Sequence, residues 1–441
     1  MARRLHSPAV GLVLALCALA WLARAGQATP GPSARSSAAS LLGGVSIGSV
    51  APNSVAGEAD RAIAVAVQLH AKIIRVEVPW AVLEPLGPGQ LEPQALAYTD
   101  RVVQDAAAAG IGVVMLVQGT PCWASSAPAN VLRGCLPAHP GNAASWPPTR
   151  PSDFAAFVAY LAGRYGTRLA AIEIWNEPDQ ANEAYLAGPD KPQRYAELLR
   201  AAYPAIKQAN ANVTVLAGAL VGSNGAFLRA MYAAGIKGYY DGLAVHYYNL
   251  TLASLRAIRE VQLANGDTTP LWLDEFGWTS CWPQRRIEQE QGCVTKQIQA
   301  QNITNTFRAL ARTPYVAAAI LYKLRDTVGE EFGVLSTSGR HKPSFAALAA
   351  VLASPTGSVS RATIGLRRHG RHVVASGSGP VGDFMELEAF RGRVLRYRAF
   401  FTLDRFNRYS IALPAALGTN DLRVRVYQYG AGPSRDAQAS V

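Results

Sequence analysis

Eight short apolar runs, each suited to a buried strand, alternate with amphipathic stretches between residues 41 and 353 of this 441-residue chain. The runs are Gly43–Gly48, Ala71–Glu77, Ile111–Val117, Ala170–Trp175, Val213–Gly218, Gly242–Tyr247, Pro270–Glu275 and Val316–Tyr322. Between them lie helix-period stretches such as Gly57–His70, Gln94–Ala109, Ser152–Tyr165, Pro192–Asn210, Leu252–Ala264 and Thr295–Arg312. Pro192 suits a first helical turn, and Gly110 follows its helix where a left-handed cap is needed. Strands separated by helices pair in parallel, and eight of them close most simply into a (β/α)₈ TIM barrel. An open doubly wound sheet is the competing arrangement, but no Gly-rich phosphate loop follows the first strand.

The barrel is expected to end with a helix over Pro343–Leu352. After Ser354-Pro355-Thr356-Gly357 the texture changes to short strand-like runs and Gly-rich turns, the pattern of a small all-β, sandwich-like module over 354–441. At the other end, Arg3 and Arg4 precede an apolar stretch from Ala9 to Leu22 and then Ala23-Arg24-Ala25. That reads as a secretory signal over 1–25, cleaved before Gly26, with a flexible leader over 26–40. The stretch is short for spanning a bilayer, so no stable membrane insertion is expected after cleavage, and the mature protein is expected outside the cell.

Cleavage removes Cys17 and leaves Cys122, Cys135, Cys281 and Cys293. An even count in an exported chain suggests disulfides, and the short loops favour Cys122–Cys135 and Cys281–Cys293, although all three connectivities stay open on sequence alone. Neither pair has CxxC spacing and only His139 lies close to any of them, so no metal and no cofactor is expected. Net charge is +12, and Arg outnumbers Lys 35 to 7. From Ser354 onward there are thirteen Arg, no Lys and six acidic residues. Solvated faces account for that excess more simply than an anionic partner does, and no nucleic-acid motif accompanies it.

In a parallel barrel, functional groups collect where strands end. Glu177 follows the fourth run in Trp175-Asn176-Glu177-Pro178, and Glu275 closes the seventh in Leu273-Asp274-Glu275-Phe276. The 98 residues between them are three strand–helix units of about 33 residues, so both carboxylates are expected at one mouth. Two carboxylates facing each other across a cleft are what cleavage of a glycosidic bond requires. Glu177 is the candidate general acid, with burial keeping it protonated near neutral pH, and Glu275 the candidate nucleophile. His246 and Tyr248 alternate onto one side of the neighbouring sixth strand, where the Tyr248 hydroxyl is placed to donate to Glu275. Arg75 offers either positive potential for the nucleophile or an interior ion pair, for instance with Glu77. All seven Trp after the signal lie between Trp80 and Trp282, and Trp80, Trp123, Trp175, Trp278 and Trp282 fall near strand ends. Two or three of these are expected to stack on sugar faces. Tyr322, with Arg325 and Asp326, completes the rim.

Asn176-Glu177-Pro178, His246-x-Tyr248 and Glu275 in that order resemble the clan A glycoside hydrolases. Thr120-Pro121-Cys122-Trp123, the Arg194–Leu199 helix, Glu275-Phe276-Gly277-Trp278 and Lys342-Pro343 are most similar to the family 39 and family 5-like bacterial group. The resemblance covers about residues 41 to 353. It implies a (β/α)₈ barrel acting with retention, Glu177 as acid/base, Glu275 as nucleophile, Asn176 as the neighbouring substrate-binding Asn and Arg75 as the second-strand Arg, with both Asn176 and Arg75 expected on the substrate side. Tyr322-Lys323 stands where many clan members place Trp. The expectation is a secreted, monomeric glycosidase acting on a poly- or oligosaccharide. A catalytically silent saccharide-binding barrel and a transglycosylase are the alternatives.

Overall fold

The computed structural model describes residues 41–49, 56–248, 252–281, 293–356, 361–370, 372–379, 384–404, 406–418, 420–428 and 437–440. The expected signal and leader, and Trp282, lie outside them. Eight parallel strands close into a barrel in sequential order: β1 (Leu42–Ser49), β2 (Ile73–Pro79), β3 (Gly112–Gln118), β4 (Leu169–Ile174), β5 (Thr214–Leu220), β6 (Gly242–His246), β7 (Leu271–Phe276) and β8 (Val316–Leu321). Closure is made by β8 pairing with β1, from Leu42 against Ala318 to Val45 against Leu321.

Around the barrel run α1 (Ala56–Gln68), α2 (Trp80–Leu83), α3 (Pro93–Ala108), α4 (Ala129–Leu132), α5 (Pro151–Tyr165), α6 (Lys191–Ala209), α7 (Ala226–Ala233), α8 (Leu252–Ala264), α9 (Lys296–Leu310) and α10 (Pro343–Ala353). Local chemistry explains several starts. Pro93, Pro151, Pro192 and Pro343 each occupy the first turn, where the missing N–H costs nothing. Glu92 caps α3 by accepting from the Ala95 N–H, and Thr295 caps α9 by accepting from the Ile298 N–H. The sequence did not announce α7, whose eight residues are too few to establish a helical period.

Alternation sorts the strand residues into two layers of packing. Ile73, Val114, Ala171, Leu216, Ala244, Trp272, Ala318 and Ile320 form an apolar cluster, while the opposite faces pack against the helices. At the top, Gly277 lets β7 and β8 approach closely: a Cβ there would stand 2.5 Å from the Tyr322 carbonyl oxygen.

Among the described residues after α10 the strands are all antiparallel, with one short 3-10 turn at Ala415–Leu417. One sheet orders β13 (Arg408–Ala412), β10 (His372–Ser378) and β9 (Gly365–His369). The other orders β12 (Val394–Thr402), β11 (Phe384–Arg391), β14 (Leu422–Gln428) and β15 (Ala437–Ser440). Met385, Leu387, Ala389, Val424 and Val426 alternate into a separate small core with Val373 and Ala375. On the alternate positions, Arg398 pairs with Glu386 and Glu388, and Arg425 pairs with Glu388. Part of the arginine excess is therefore matched within the sheet. Asn407 Nδ2 donates to Asn302 Oδ1 of α9, tying this region to the barrel.

Candidate active site

The site rests on a polar layer two residues further along the strands than the apolar cluster. Ile73 is followed by Arg75, Ala171 by Glu173, Ala244 by His246 and Trp272 by Asp274, so alternation turns all four to the same side. Arg75 holds Glu173 with two parallel bonds, Nε to Oε2 at 2.8 Å and Nη2 to Oε1 at 2.9 Å. Its remaining donors reach Glu275 Oε1 at 2.6 Å and Asn176 Oδ1 at 3.0 Å. The alternative pairing of Arg75 with Glu77 is not formed: Glu77 instead accepts from Gln118. Arg75 is only 3% exposed, and Glu173 and Asp274 are fully buried, so these charges act on one another with little screening.

A bulge sets the top of β7. Val245 pairs with Leu273 but His246 pairs with Glu275, which leaves Asp274 as the extra residue. The β8 side repeats the irregularity between Leu273 and Phe276. A regular strand would send adjacent residues to opposite faces; here both carboxylates meet the same cluster. Asp274 Oδ2 lies 3.4 Å from Arg75 Nε and 3.6 Å from His246 Nε2. Glu275 takes the Arg75 bond on one oxygen and the Tyr248 hydroxyl, at 2.6 Å, on the other.

Glu177 is positioned by a kink. Trp175 and Glu177 both adopt left-handed backbone, at φ 69° and 42°, a conformation rare for bulky residues. The surroundings impose it: the buried Trp175 ring packs on Phe154, its indole N–H donates to the Tyr185 carbonyl, and its backbone N–H donates to Val117. Past the kink, Glu177 Oε1 lies 2.8 Å from His246 Nδ1, and Oε2 accepts from Gln180 at 2.6 Å.

The protonation pattern differs from the one the sequence suggested. Burial pushes the Glu177 carboxyl up, but the hydrogen bond and charge of His246 outweigh it and hold Glu177 below its ordinary range. Burial pulls the other way on His246, yet Glu275, Asp274 and Glu177 together raise it well above the usual imidazole value. The resting pair is thus an imidazolium beside a carboxylate, not a neutral carboxylic acid. Below it, burial drives Glu173 up, whereas His246 and Arg75 overcome the burial of Asp274 and keep it down.

These groups open into a cleft of about 860 Å³ lined by Arg75, Asn176, Glu177, Tyr248, Glu275 and Tyr322, with the end of β1, helix α1 and the segment after β8 as walls. Tyr248, Tyr322 and Phe332 form an aromatic trio at ring separations of 5.2 to 5.8 Å. Among the described residues, none of the expected tryptophans is part of this lining. Trp123 donates to the Glu84 carbonyl and packs edge-on against buried Trp80. Trp278 is 1% exposed and packs on Phe276, which contacts Phe307 of α9, placing the ring in the layer between strand and helix. Trp80 and Trp175 are buried as well. Large rings at strand ends serve packing here, and tyrosines face the cleft.

Residues the motifs did not single out include Glu173, Asp274, Gln180 and Tyr185. A charged residue inside the apolar run Ile172-Glu173-Ile174 was a usable signal for the first; Tyr185 carried none. Burial, then the charges of Glu177 and Glu275, push the Tyr185 phenol up to about 12. Both expected disulfides, Cys122–Cys135 and Cys281–Cys293, are formed.

Two buried trios, Glu173/His246/Asp274 and Glu177/His246/Glu275, bring ligand-type atoms within 4.8 Å of one another. The Arg75 guanidinium bonds directly to Glu173 of the first set and Glu275 of the second, so a positive charge already sits against both.

Residues 153–346 match the family model described as the glycosyl hydrolase catalytic core. No curated protein matches the chain. Among solved structures, the chain is similar to a family 39 glycoside hydrolase from the gut symbiont Bacteroides cellulosilyticus WH2, at 18% identity and TM-score 0.53, covering 85% of this chain and 81% of that one. It is also similar to GH5_18 from Streptomyces cattleya, in complex with GlcNAc, at 19% identity and TM-score 0.52, covering 74% and 83%. A monomeric beta-xylosidase from Caulobacter crescentus CB15 aligns at 15% identity and TM-score 0.50, covering 87% and 95%.

Proposed function

We propose that the chain is a glycosidase of the clan A type, as its match to the glycosyl hydrolase catalytic core supports, and that it cleaves a poly- or oligosaccharide with retention, by double displacement on Glu275. The carrying observation is the separation of the acids: one oxygen of Glu177 and one of Glu275 lie within 4.8 Å of each other. So close an approach of the nearest oxygens favours the carboxyl spacing of retaining enzymes, roughly 5 to 5.5 Å, over the about 6.5 to 9.5 Å that inverting ones keep for a water. Glu275 attacks the anomeric carbon, and the glycosidic C–O bond breaks as the ester bond forms. Arg75 and Tyr248 hold the attacking carboxylate in place.

The leaving oxygen needs a proton, and the Glu177–His246 pair supplies it. The proton rests on His246 Nδ1 and passes through Glu177 to the departing oxygen. Glu275 loses its negative charge in the ester as the pair loses its positive one, so the net charge of the buried cluster is unchanged. Water then attacks the ester, its proton returns to the pair through Glu177, and the sugar leaves with its configuration kept. Export to an oxidising compartment is part of this reading, supported by the two disulfides.

The test is a screen of aryl glycosides and bacterial exopolysaccharides, with the anomer of the first product followed by proton NMR. Initial release of the inverted sugar rules the mechanism out. Glu177→Gln is expected to slow substrates with poor leaving groups by at least about 10³-fold, and activated aryl glycosides far less at the first step. Equal losses on both would remove Glu177 from the acid role.

The pair also predicts a pH effect. Activity falls at high pH as His246 loses its proton. In His246→Asn the proton must reside on Glu177 itself, so the alkaline limb of kcat/KM is expected to move to lower pH by about one unit or more. An unmoved limb contradicts the shared proton.

A further inference from the structure

A second hollow of about 320 Å³ adjoins the catalytic cleft, and three residues, Glu77, Gln118 and Tyr185, line both. They form a divide, with Gln118 Nε2 donating to Glu77 Oε1. Beyond it the lining is small and largely apolar: Pro79, Ala81, Val82, Pro140, Ala144 and Ala184. Among the described residues of that lining, Glu77, on the divide itself, is the one that carries a charge. The hydroxyl of Ser145 is already used on the Ala184 carbonyl. Such a surface suits the C–H face of an uncharged sugar and offers nothing to a carboxylate or sulfate.

The far wall comes from the long segment between β3 and α5, and it is tied down at many points. Cys122–Cys135 bridges it near its start. Thr120 donates from its N–H to Ala144 and from its hydroxyl to Trp146, and Ser125 donates to Ala143. Ala187 donates to the Ser145 carbonyl, joining the wall to the loop after β4 that carries Tyr185. A wall held this way is preorganised, so a ligand on it incurs little ordering cost.

From this continuity, we infer that the second hollow is a remote subsite for a neutral sugar unit, and that the substrate is a glycan chain crossing the Glu77–Gln118–Tyr185 divide. The inference rests on the glycosidase mechanism proposed above and adds the length and the uncharged character of the substrate at that position. Binding energy from a remote unit raises catalysis only when the chain is long enough to reach it.

The experiment uses the sugar that the aryl glycoside screen identifies. Wild-type kcat/KM is measured on the aryl monosaccharide and on a ladder of neutral oligosaccharides of the same sugar. A rise of at least about tenfold from disaccharide to the longest member is expected. Ala144→Trp and Ala184→Trp, which fill the hollow from two sides, are expected to reduce that long-to-short ratio by at least about fivefold. A flat wild-type ladder overturns the inference while leaving the mechanism intact, as does a ratio unchanged in both variants. The wild-type ladder decides alone if neither variant folds. Turnover of no glycoside at all removes the mechanism and the subsite with it.

Discussion

Glu275→Ala is expected to lower kcat by at least about 10⁴-fold on every substrate the protein turns over, while the barrel stays folded. The loss is large because the side chain forms a bond in the transition state, and no neighbouring group can substitute. Glu173 and Asp274 are nearby, but both lie deeper, within the polar layer, and do not line the cleft. Folding should tolerate the change well. The substitution removes one of four carboxylates crowded around Arg75 and His246, so it relieves repulsion as well as losing bonds. A small anion such as formate, placed in the vacated space between Arg75 and Tyr248, is expected to restore part of the turnover of activated aryl glycosides. Near-wild-type turnover without added anion would show that Glu275 is not the nucleophile.

Arg75→Met is expected to have the largest effect on stability, about 3 to 5 kcal/mol, read from urea unfolding. Arg75 is the hub of the layer: it bonds Glu173 twice, Glu275 and Asn176, and lies 3.4 Å from Asp274. Without it the buried carboxylates face one another with His246 as the remaining cation. Pairing the change with Glu173→Gln removes part of the uncompensated charge, and the double variant should recover stability relative to Arg75→Met alone. Arg75→Lys keeps the charge but loses the fork, and is expected to fall between. A cost below about 1 kcal/mol for Arg75→Met would mean that water or rearrangement replaces the guanidinium.

The outline of the molecule was legible because it depends on local periodicity. Each barrel strand differs from its apolar run by at most two residues at either end, since a run buried on both faces stands out from its surroundings. The short β9 and β15 went unseen for the opposite reason, being brief, polar and Gly- or Ala-rich. The ends of the fourth and seventh strands already put Glu177 and Glu275 at one mouth, because eight parallel strands bring all their C-terminal ends to one rim.

What the sequence by itself determined is therefore the barrel, its alternation and the rim on which the two acids sit. The tertiary structure alone decided which atoms meet there. Asp274 joins its neighbour Glu275 in the cluster only because β7 is bulged against both flanking strands. Trp123 and Trp278 pack against other rings outside the cleft lining, which holds Tyr185, Tyr248, Tyr322 and Phe332 instead. His246, reaching Glu177 through a left-handed kink, reversed the protonation expected from burial alone. Periodicity fixes faces and ends, but a proton answers to separations of about 3 Å, which register shifts and backbone kinks create between residues distant in the chain.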